Sequence, residues 1–435
     1  KMGRVKIFKF GILVFTISSV LCGFSASIES LIVFRTIQGI GGALMIPGSL
    51  SIISSVFSKE EKGKAIGTWS AATTIVMICG PVLGGALASV GLWRFIFFIN
   101  LPLGIISYLI LQYRVPESVV KGSPKIDWLG AILLIVSLSL QTYGFLEMPE
   151  SGFDNLLVSG TIISGIVLFI LFIYVEYKVA DPMIPLDLFK NRTFSGVNLL
   201  SFFLYAGLGG IMLFFSLNLI QIQGYSELQA GLTFLPFSFL MVLMGRKMGS
   251  LKDKYGARNF LIFGPLITGI GIFGMSMIEM TAGPGEYWTT YFPWFMIFAF
   301  GMSITVVPLT TIVMTSVADE KSGTASGINN SVTRIAGTFV NAFVGALAVY
   351  LFVGFVSEGT TVLELTDLVT EEIMMEATNL GEAKSNVSYP EQLRTQVDQL
   401  FDISFVKTYG IVGYISASLA FVSSLIAFFT IKNNQ

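Results

Sequence analysis

Cys79-Gly80-Pro81-Val82-Leu83-Gly84-Gly85 lies inside an apolar stretch, residues 65–90, that is long enough to cross a bilayer. In lipid every backbone amide must find its partner within the protein, so a proline inside a span needs a neighbouring helix to cover the groups it frees. Pro81 takes the helical donor from the carbonyl of Met77. Gly80 and Gly84 stand one turn apart, on a face where a second backbone can approach closely. The stretch predicts a bent, tightly packed membrane helix.

The whole chain carries the same signature. Of its 435 residues 53% are hydrophobic and 12% charged, about half the charged fraction of a soluble protein. Mean hydropathy is +0.77, so the chain is read as an integral membrane protein in a lipid bilayer. A net charge of -1 gives no argument for nucleic acid as a partner. The two cysteines, Cys22 and Cys79, fall in apolar runs and read as small packing residues. There is no histidine. That removes the usual general base, the commonest metal ligand and the side chain that titrates near neutrality, so any proton-linked step falls to carboxylates.

A span needs about 20 apolar residues. By that measure twelve spans are predicted, at residues 7–25, 29–56, 65–90, 94–113, 127–147, 156–177, 195–221, 228–249, 259–280, 289–316, 324–355 and 405–431. Lys and Arg gather in alternate connections, from Lys1–Lys9 through Lys59/Lys62/Lys64, Arg114/Lys121/Lys125, Lys178/Lys190/Arg192 and Arg246–Arg258 to Lys321 and Lys432. Basic residues mark cytoplasmic loops, so both ends of this chain are expected in the cytoplasm. The connection from Ser357 to Asp402 is long and acidic, and reads as a solvated outer loop, with an external subdomain or a helical flap as the alternatives.

An internal repeat is visible as well. Asp253-Lys254-Tyr255-Gly256-Ala257-Arg258 precedes one span as Lys1-Met2-Gly3-Arg4-Val5-Lys6 precedes another, and aligning Gly3 with Gly256 aligns the spans that follow. Parallel repeats mark many secondary transporters. If the halves correspond, two spans and an Asp are expected upstream of Lys1, for fourteen spans in all.

Several ordered motifs carry a family resemblance. Leu31-x-x-x-Arg35-x-x-Gln38-Gly39-x-Gly41-Gly42-Ala43 is followed by Cys79-Gly80-Pro81-Val82-Leu83-Gly84-Gly85 and then by Trp93-Arg94-x-x-Phe97-x-Ile99-Asn100-x-Pro102-x-Gly104. Further on come Gln221-x-x-Gly224-Tyr225-Ser226-x-x-Gln229-Ala230-Gly231, the segment Gly249-Ser250-Leu251-Lys252-Asp253-Lys254-Tyr255-Gly256-Ala257-Arg258, and Gly323-x-x-Ser326-Gly327-x-x-Asn330-x-x-x-Arg334-x-x-Gly337. In this order they resemble the major facilitator superfamily, specifically its fourteen-span drug:proton antiporter branch of QacA-like and EmrB-like multidrug exporters. The resemblance covers essentially the whole chain.

The resemblance implies an all-α polytopic membrane protein of the major facilitator fold: two pseudo-symmetric helical bundles and a two-helix insert. The N-terminal bundle would span residues 1–115 without its first two helices, the insert residues 116–185, and the C-terminal bundle residues 186–435 with its outer loop at 357–402. It implies a proton-coupling role for Arg35 and Gln38 and an antiporter hinge at Gly80, Pro81, Gly84 and Gly85. It also implies a cytoplasmic gating loop at Gly249, Asp253, Lys254, Gly256 and Arg258, with Gly3 and Arg4 left from a first copy. The structural alternatives are a brace to backbone carbonyls for Arg35, small-residue packing for the glycines and a simple charged turn for the loop.

Asn100, Asn330, Arg334 and Asn341 are the polar residues expected to line a cavity, although an interhelical hydrogen bond explains Asn100 equally well. Asp127, Glu147, Glu176 and Glu279 all sit near span ends, so no deep acid is visible. The implied activity is export of hydrophobic or cationic drugs in exchange for protons, by rocking around a midplane site in the plasma membrane. The expected protein is a multi-pass monomer with no cofactor, no metal and no catalytic residue. The alternative cargo is a specific metabolite, a lipid-like compound or a peptide. An enzyme would need a catalytic cluster, and none is present in the pattern.

Overall fold

A computed structural model describes residues 4–56, 76, 79–80, 82–117, 127–180, 182–318, 321–363 and 365–432. Helices account for the regular structure among them, and eleven are long and apolar enough to span a membrane. These correspond one to one with eleven of the twelve predicted spans. The remaining one, residues 65–90, lies largely outside the described residues, although residues 82–89 are helical.

The chain folds as two compact units. The first holds residues 1–125 and 226–238. Its helices are α1 (Arg4–Gly23), α2 (Ile28–Val56), α3 (Phe95–Phe98), α4 (Asn100–Arg114) and α8 (Glu227–Leu232). Small residues set the spacing, because helices in lipid gain by close van der Waals packing rather than by excluding water. A Cβ on Gly41 of α2 would lie 2.6 Å from the backbone nitrogen of Phe15 on α1. The start of α1 is held by Glu117, whose carboxylate oxygens accept from the Val5 and Lys6 amides at 3.0 and 3.1 Å. That places an acid on unpaired N–H groups at the positive end of the helix.

The second unit holds residues 126–225 and 239–435. Its helices are α5 (Trp128–Ser151), α6 (Leu156–Lys178), α7 (Arg192–Leu217), most of α9 (Leu235–Tyr255), α10 (Ala257–Ser276), α11 (Tyr291–Thr315), α12 (Ser322–Val362), α13 (Asp367–Glu376) and α14 (Glu391–Thr430). Asp127 and Asn155 begin the two helices of the α5–α6 hairpin as N-caps. Ser137 donates from its hydroxyl to the Gly165 carbonyl across the hairpin at 2.8 Å. Phe145 of α5 meets the edges of Phe339 and Phe343, which seats the hairpin on α12. The core is aromatic around α7 and α11, where Phe215 stacks on Phe295 and meets Tyr291 edge-on.

The predicted span 228–249 is present from Glu227 to Met244, broken at Thr233–Phe234 into α8 and α9; α8 begins with a capping box of Ser226 and Gln229. One expectation is corrected here. The acidic segment 357–402 is largely helical, because α12 runs on to Val362 and α14 already begins at Glu391. Between them lie α13 and a 3-10 turn, Ala377–Glu382. Its acids are used locally: Tyr389 donates to Glu372 at 2.5 Å, and Asp398 accepts from the Ser385 amide at 2.9 Å. Burial, reinforced by the Glu372 charge, pushes the Tyr389 phenol up to about 12, so it remains a donor at neutral pH. Phe401 at the base of this segment packs against Phe352.

A close backbone contact of the second unit is at Gly271, where a Cβ would lie 2.4 Å from the backbone nitrogen of Phe298. Backbone cannot yield as a side-chain tip can. Gly271→Ala should therefore force α10 from α11 and destabilise the protein by about 1–3 kcal/mol. Gly354→Ala, where a Cβ meets nothing within 4 Å, should leave it unchanged or slightly more stable. Thermal unfolding of the two variants in detergent checks the contrast.

Candidate functional site

Arg35 lies on α2, one turn before Gln38, so the two side chains share a face. Its guanidinium donates to Gln38 Oε1 at 2.7 Å and sits 5.9 Å from the centre of the Phe97 ring. Gln38 is buried and Arg35 exposed. The one ion pair among the described residues joins Lys190 to Asp187, so Arg35 is oriented by an amide and a ring, not by a carboxylate. Asn100 is committed to α1: its amide donates to Ser19 Oγ at 3.0 Å, and Ser19 donates onward to the Phe97 carbonyl at 2.9 Å.

The glycines of the opening motif separate into two kinds. A Cβ on Gly80 or Gly84 meets no atom within 4 Å. On Gly85 it would lie 2.4 Å from the carbonyl oxygen of Glu227, at the first turn of α8. The close backbone approach read onto the Gly80/Gly84 face is thus found one residue further round the helix. Pro81 lies outside the described residues.

In the second unit, the segment from Gly249 to Arg258 closes α9 and opens α10. Gly256 forms the turn with φ +76°, a left-handed conformation that costs a residue with a Cβ. Arg258 donates through Nε to the Ile431 carbonyl at 2.8 Å and through Nη2 to the Phe428 carbonyl at 2.9 Å. Arg192, at the start of α7, donates to the Phe429 carbonyl at 2.8 Å. Two cations thus occupy the negative end of α14, where carbonyls lack helical donors. Beside Arg192, Asn191 caps α7 through Oδ1 and donates through Nδ2 to the Ser316 carbonyl at the end of α11, at 2.6 Å. The side chains of Gly249, Asp253, Lys254 and Arg4, and all of Gly3, lie outside the described residues.

Asn330, Arg334, Gly337 and Asn341 follow one another at helical spacing along one face of α12. Asn330 and Arg334 are exposed, and a Cβ on Gly327, Gly337 or Gly345 would meet nothing within 4 Å. At the far end of this open stripe, Asn341 Oδ1 is buried without a donor. The neighbouring Asn329 points the other way: its amide donates to Asn198 Oδ1 at 3.2 Å and to Ser201 Oγ at 2.8 Å on α7. Sequence reasoning passed over Arg192 as a loop charge. Its place in the first turn of α7, like that of Arg258 in the first turn of α10, was the available signal.

A family profile described as Major Facilitator Superfamily matches residues 1–341. The chain belongs to that superfamily. It is therefore a multi-pass membrane transporter and not an enzyme. Among its relatives, Multidrug resistance protein 3 of Bacillus subtilis is 30% identical over 394 residues, covering 90% of this chain and 73% of that protein. The Tetracenomycin C resistance and export protein of Streptomyces glaucescens is 25% identical over 436 residues, covering 99% and 80%. Solved structures share the fold at lower identity. A bacterial homologue of the human lysosomal transporter Spinster, inward-facing and unoccupied, superposes with a TM-score of 0.63 at 19% identity, covering 98% of this chain and 84% of that one. A D-xylose–proton symporter gives 0.56 at 16%, covering 100% and 82%.

Gly85→Ala should impair both stability and transport, by about 1–3 kcal/mol in the former, while Gly84→Ala, which meets no close contact, should leave stability near wild type. Melting temperature and vesicle transport measured on the same preparations test this; the opposite ranking would refute the assigned face. Replacing Arg258 by Met should cost about 1.5–3 kcal/mol in thermal or denaturant stability, since both its carbonyl bonds are charge-assisted.

Proposed function

We propose that this chain exports hydrophobic or cationic drugs from the cell in exchange for protons, by alternating access. The observation that carries this reading is membership of the superfamily together with relatives named for multidrug resistance and antibiotic export. The proposed organisation is an N-terminal bundle over residues 1–115, a two-helix insert over 116–185 and a C-terminal bundle over 186–435. The protein works as a monomer in the plasma membrane, with both ends of this chain in the cytoplasm.

Residue roles follow from the chemistry present. Arg35 supplies a positive charge on an exposed face of α2, and Gln38 holds its guanidinium in place, which suits a group that senses a nearby carboxylate or bound cation. The glycines at 80, 84 and 85, with Pro81, form the hinge. Gly256 and Arg258 close one end of the second unit through the carbonyls of α14, Gly249, Asp253 and Lys254 take part in that gating loop, and Gly3 and Arg4 belong to its partial first copy. The open stripe of Asn330, Arg334 and Asn341 offers hydrogen bonds to cargo on an otherwise apolar surface. Coupling requires that proton and cargo each bind the two conformations unequally; affinity alone shifts nothing.

The test is efflux of a fluorescent lipophilic cation from vesicles containing the purified protein, with a proton gradient and after its collapse. Transport should fall to background on collapse. Arg35→Ala should reduce it about tenfold or more, equivalent to at least about 1.4 kcal/mol of lost coupling. Efflux that persists unchanged without the gradient refutes antiport. Efflux of a metabolite, lipid or peptide in place of the cation would redirect the cargo assignment alone.

A further inference from the structure

The α5–α6 hairpin contains an unexplained pair of acids. Asp127, the N-cap of α5, accepts the Gly130 amide on Oδ1 at 2.8 Å. Glu176, in the last turn of α6, is 2% exposed and accepts the Ile184 amide on Oε2 at 2.8 Å. Each carboxyl group therefore spends one oxygen on the backbone. The other two oxygens, Asp127 Oδ2 and Glu176 Oε1, are buried and have no donor.

Those two oxygens converge on the same point. The position of a Cβ on the buried Gly130 lies 2.5 Å from Asp127 Oδ2 and 2.6 Å from Glu176 Oε1. The absent side chain at residue 130 is what lets the carboxyls meet. Ionised carboxylates only accept hydrogen bonds, so with both charged the two oxygens would repel and stay unsatisfied. One proton turns one of them into an O–H donor, and a single hydrogen bond then satisfies both.

Among the described residues no neighbouring cation removes this need. Lys178 places its ammonium 5.9 and 6.0 Å from the ring centres of Tyr174 and Tyr177. Lys190 is paired with Asp187. Helix α12 meets α5 through Phe339 and Phe343, and Asp127 is the charged group that acts on Glu176.

We propose that Asp127 and Glu176 form a carboxyl–carboxylate pair that binds one shared proton, a proton site in the hairpin separate from Arg35. Loss of that proton leaves two negative charges facing each other in a buried place. The strain is relieved by moving the end of α6 or by releasing Ile184, one residue before Pro185 and the 3-10 turn Leu186–Lys190 that leads into α7. The site thus makes the link between the hairpin and α7 sensitive to pH. It stands on the geometry of the resting protein and does not depend on the direction or cargo of transport.

Infrared difference spectroscopy of the purified full chain in lipid nanodiscs, titrated from about pH 5 to about pH 9, reads the site directly, because simple Asp and Glu side chains are ionised across most of that range. The wild type should show one protonated-carboxyl band at neutral pH that disappears as pH rises. Glu176→Gln and Asp127→Asn should each remove the band, and Gly130→Ala should weaken or shift it. Absence of the band in the wild type at neutral pH overturns the proposal, even if no variant folds. So does a band that survives unchanged in both carboxamide variants. Because no gradient or cargo is used, failure here leaves the antiport proposal intact, and loss of antiport leaves this result intact.

Discussion

The hydrogen-bond requirement of the backbone in lipid is the constraint on which the rest of this structure depends. A peptide group in the hydrocarbon region finds no water, so the chain crosses only as helices that satisfy themselves. Side-chain hydroxyls follow the same rule: Thr268, Ser276, Ser303 and Thr305 each donate to the carbonyl four residues earlier. Once polar groups are consumed within each helix, helix surfaces are nearly featureless. Association then depends on how closely backbones can approach, and the glycines supply that at Gly41, Gly85, Gly271 and Gly301.

Helix ends are the exception to this self-sufficiency. The first amides and last carbonyls of every helix need partners from elsewhere, and here they draw on side chains from other elements. Glu117 serves α1, Asn191 serves α7 and reaches α11, and Arg192 with Arg258 serve α14. Polar residues that tie one helix to another are therefore found where the helices stop, beside mid-helix ties such as Ser137 to Gly165 and Asn329 to Asn198. The bonds at helix ends can be exchanged at the membrane surface, where water is available, without exposing backbone to lipid.

Features that act through local composition could be read from the sequence. Span positions follow from apolar length, and the caps at Asp127 and Asn155 follow from a polar acceptor placed just before an apolar run. Features that depend on what comes to meet a residue could not. Gly84 and Gly85 are equivalent as letters, and only the approach of Glu227 distinguishes them. The segment 357–402 looked like a solvated loop because its acids mask the apolar positions Ile373, Val397 and Phe401, which are buried. Asp127 and Glu176 were visible as span-end acids, but 49 positions separate them and their meeting is a property of the hairpin. The sign was available in principle: in two consecutive antiparallel helices, the start of the first and the end of the second lie at the same membrane face.

That hairpin end also connects to the rest of its unit. Glu176 holds Ile184, which is followed by Pro185, the 3-10 turn and Asn191, and Asn191 reaches the Ser316 carbonyl at the end of α11. A contiguous chain of bonds is not by itself a coupling mechanism; it needs an element with two arrangements that each end can bias. The carboxyl pair supplies such an element, because its two protonation states differ in whether Asp127 and Glu176 attract or repel. Every other link in the series is a hydrogen bond between a side chain and the backbone, or a short turn. A proton at the pair would therefore be felt first at the start of α7, where Asn191 and Arg192 hold the ends of α11 and α14. In this way a hairpin with no acid deep in the membrane can still bear on the helices it is packed against.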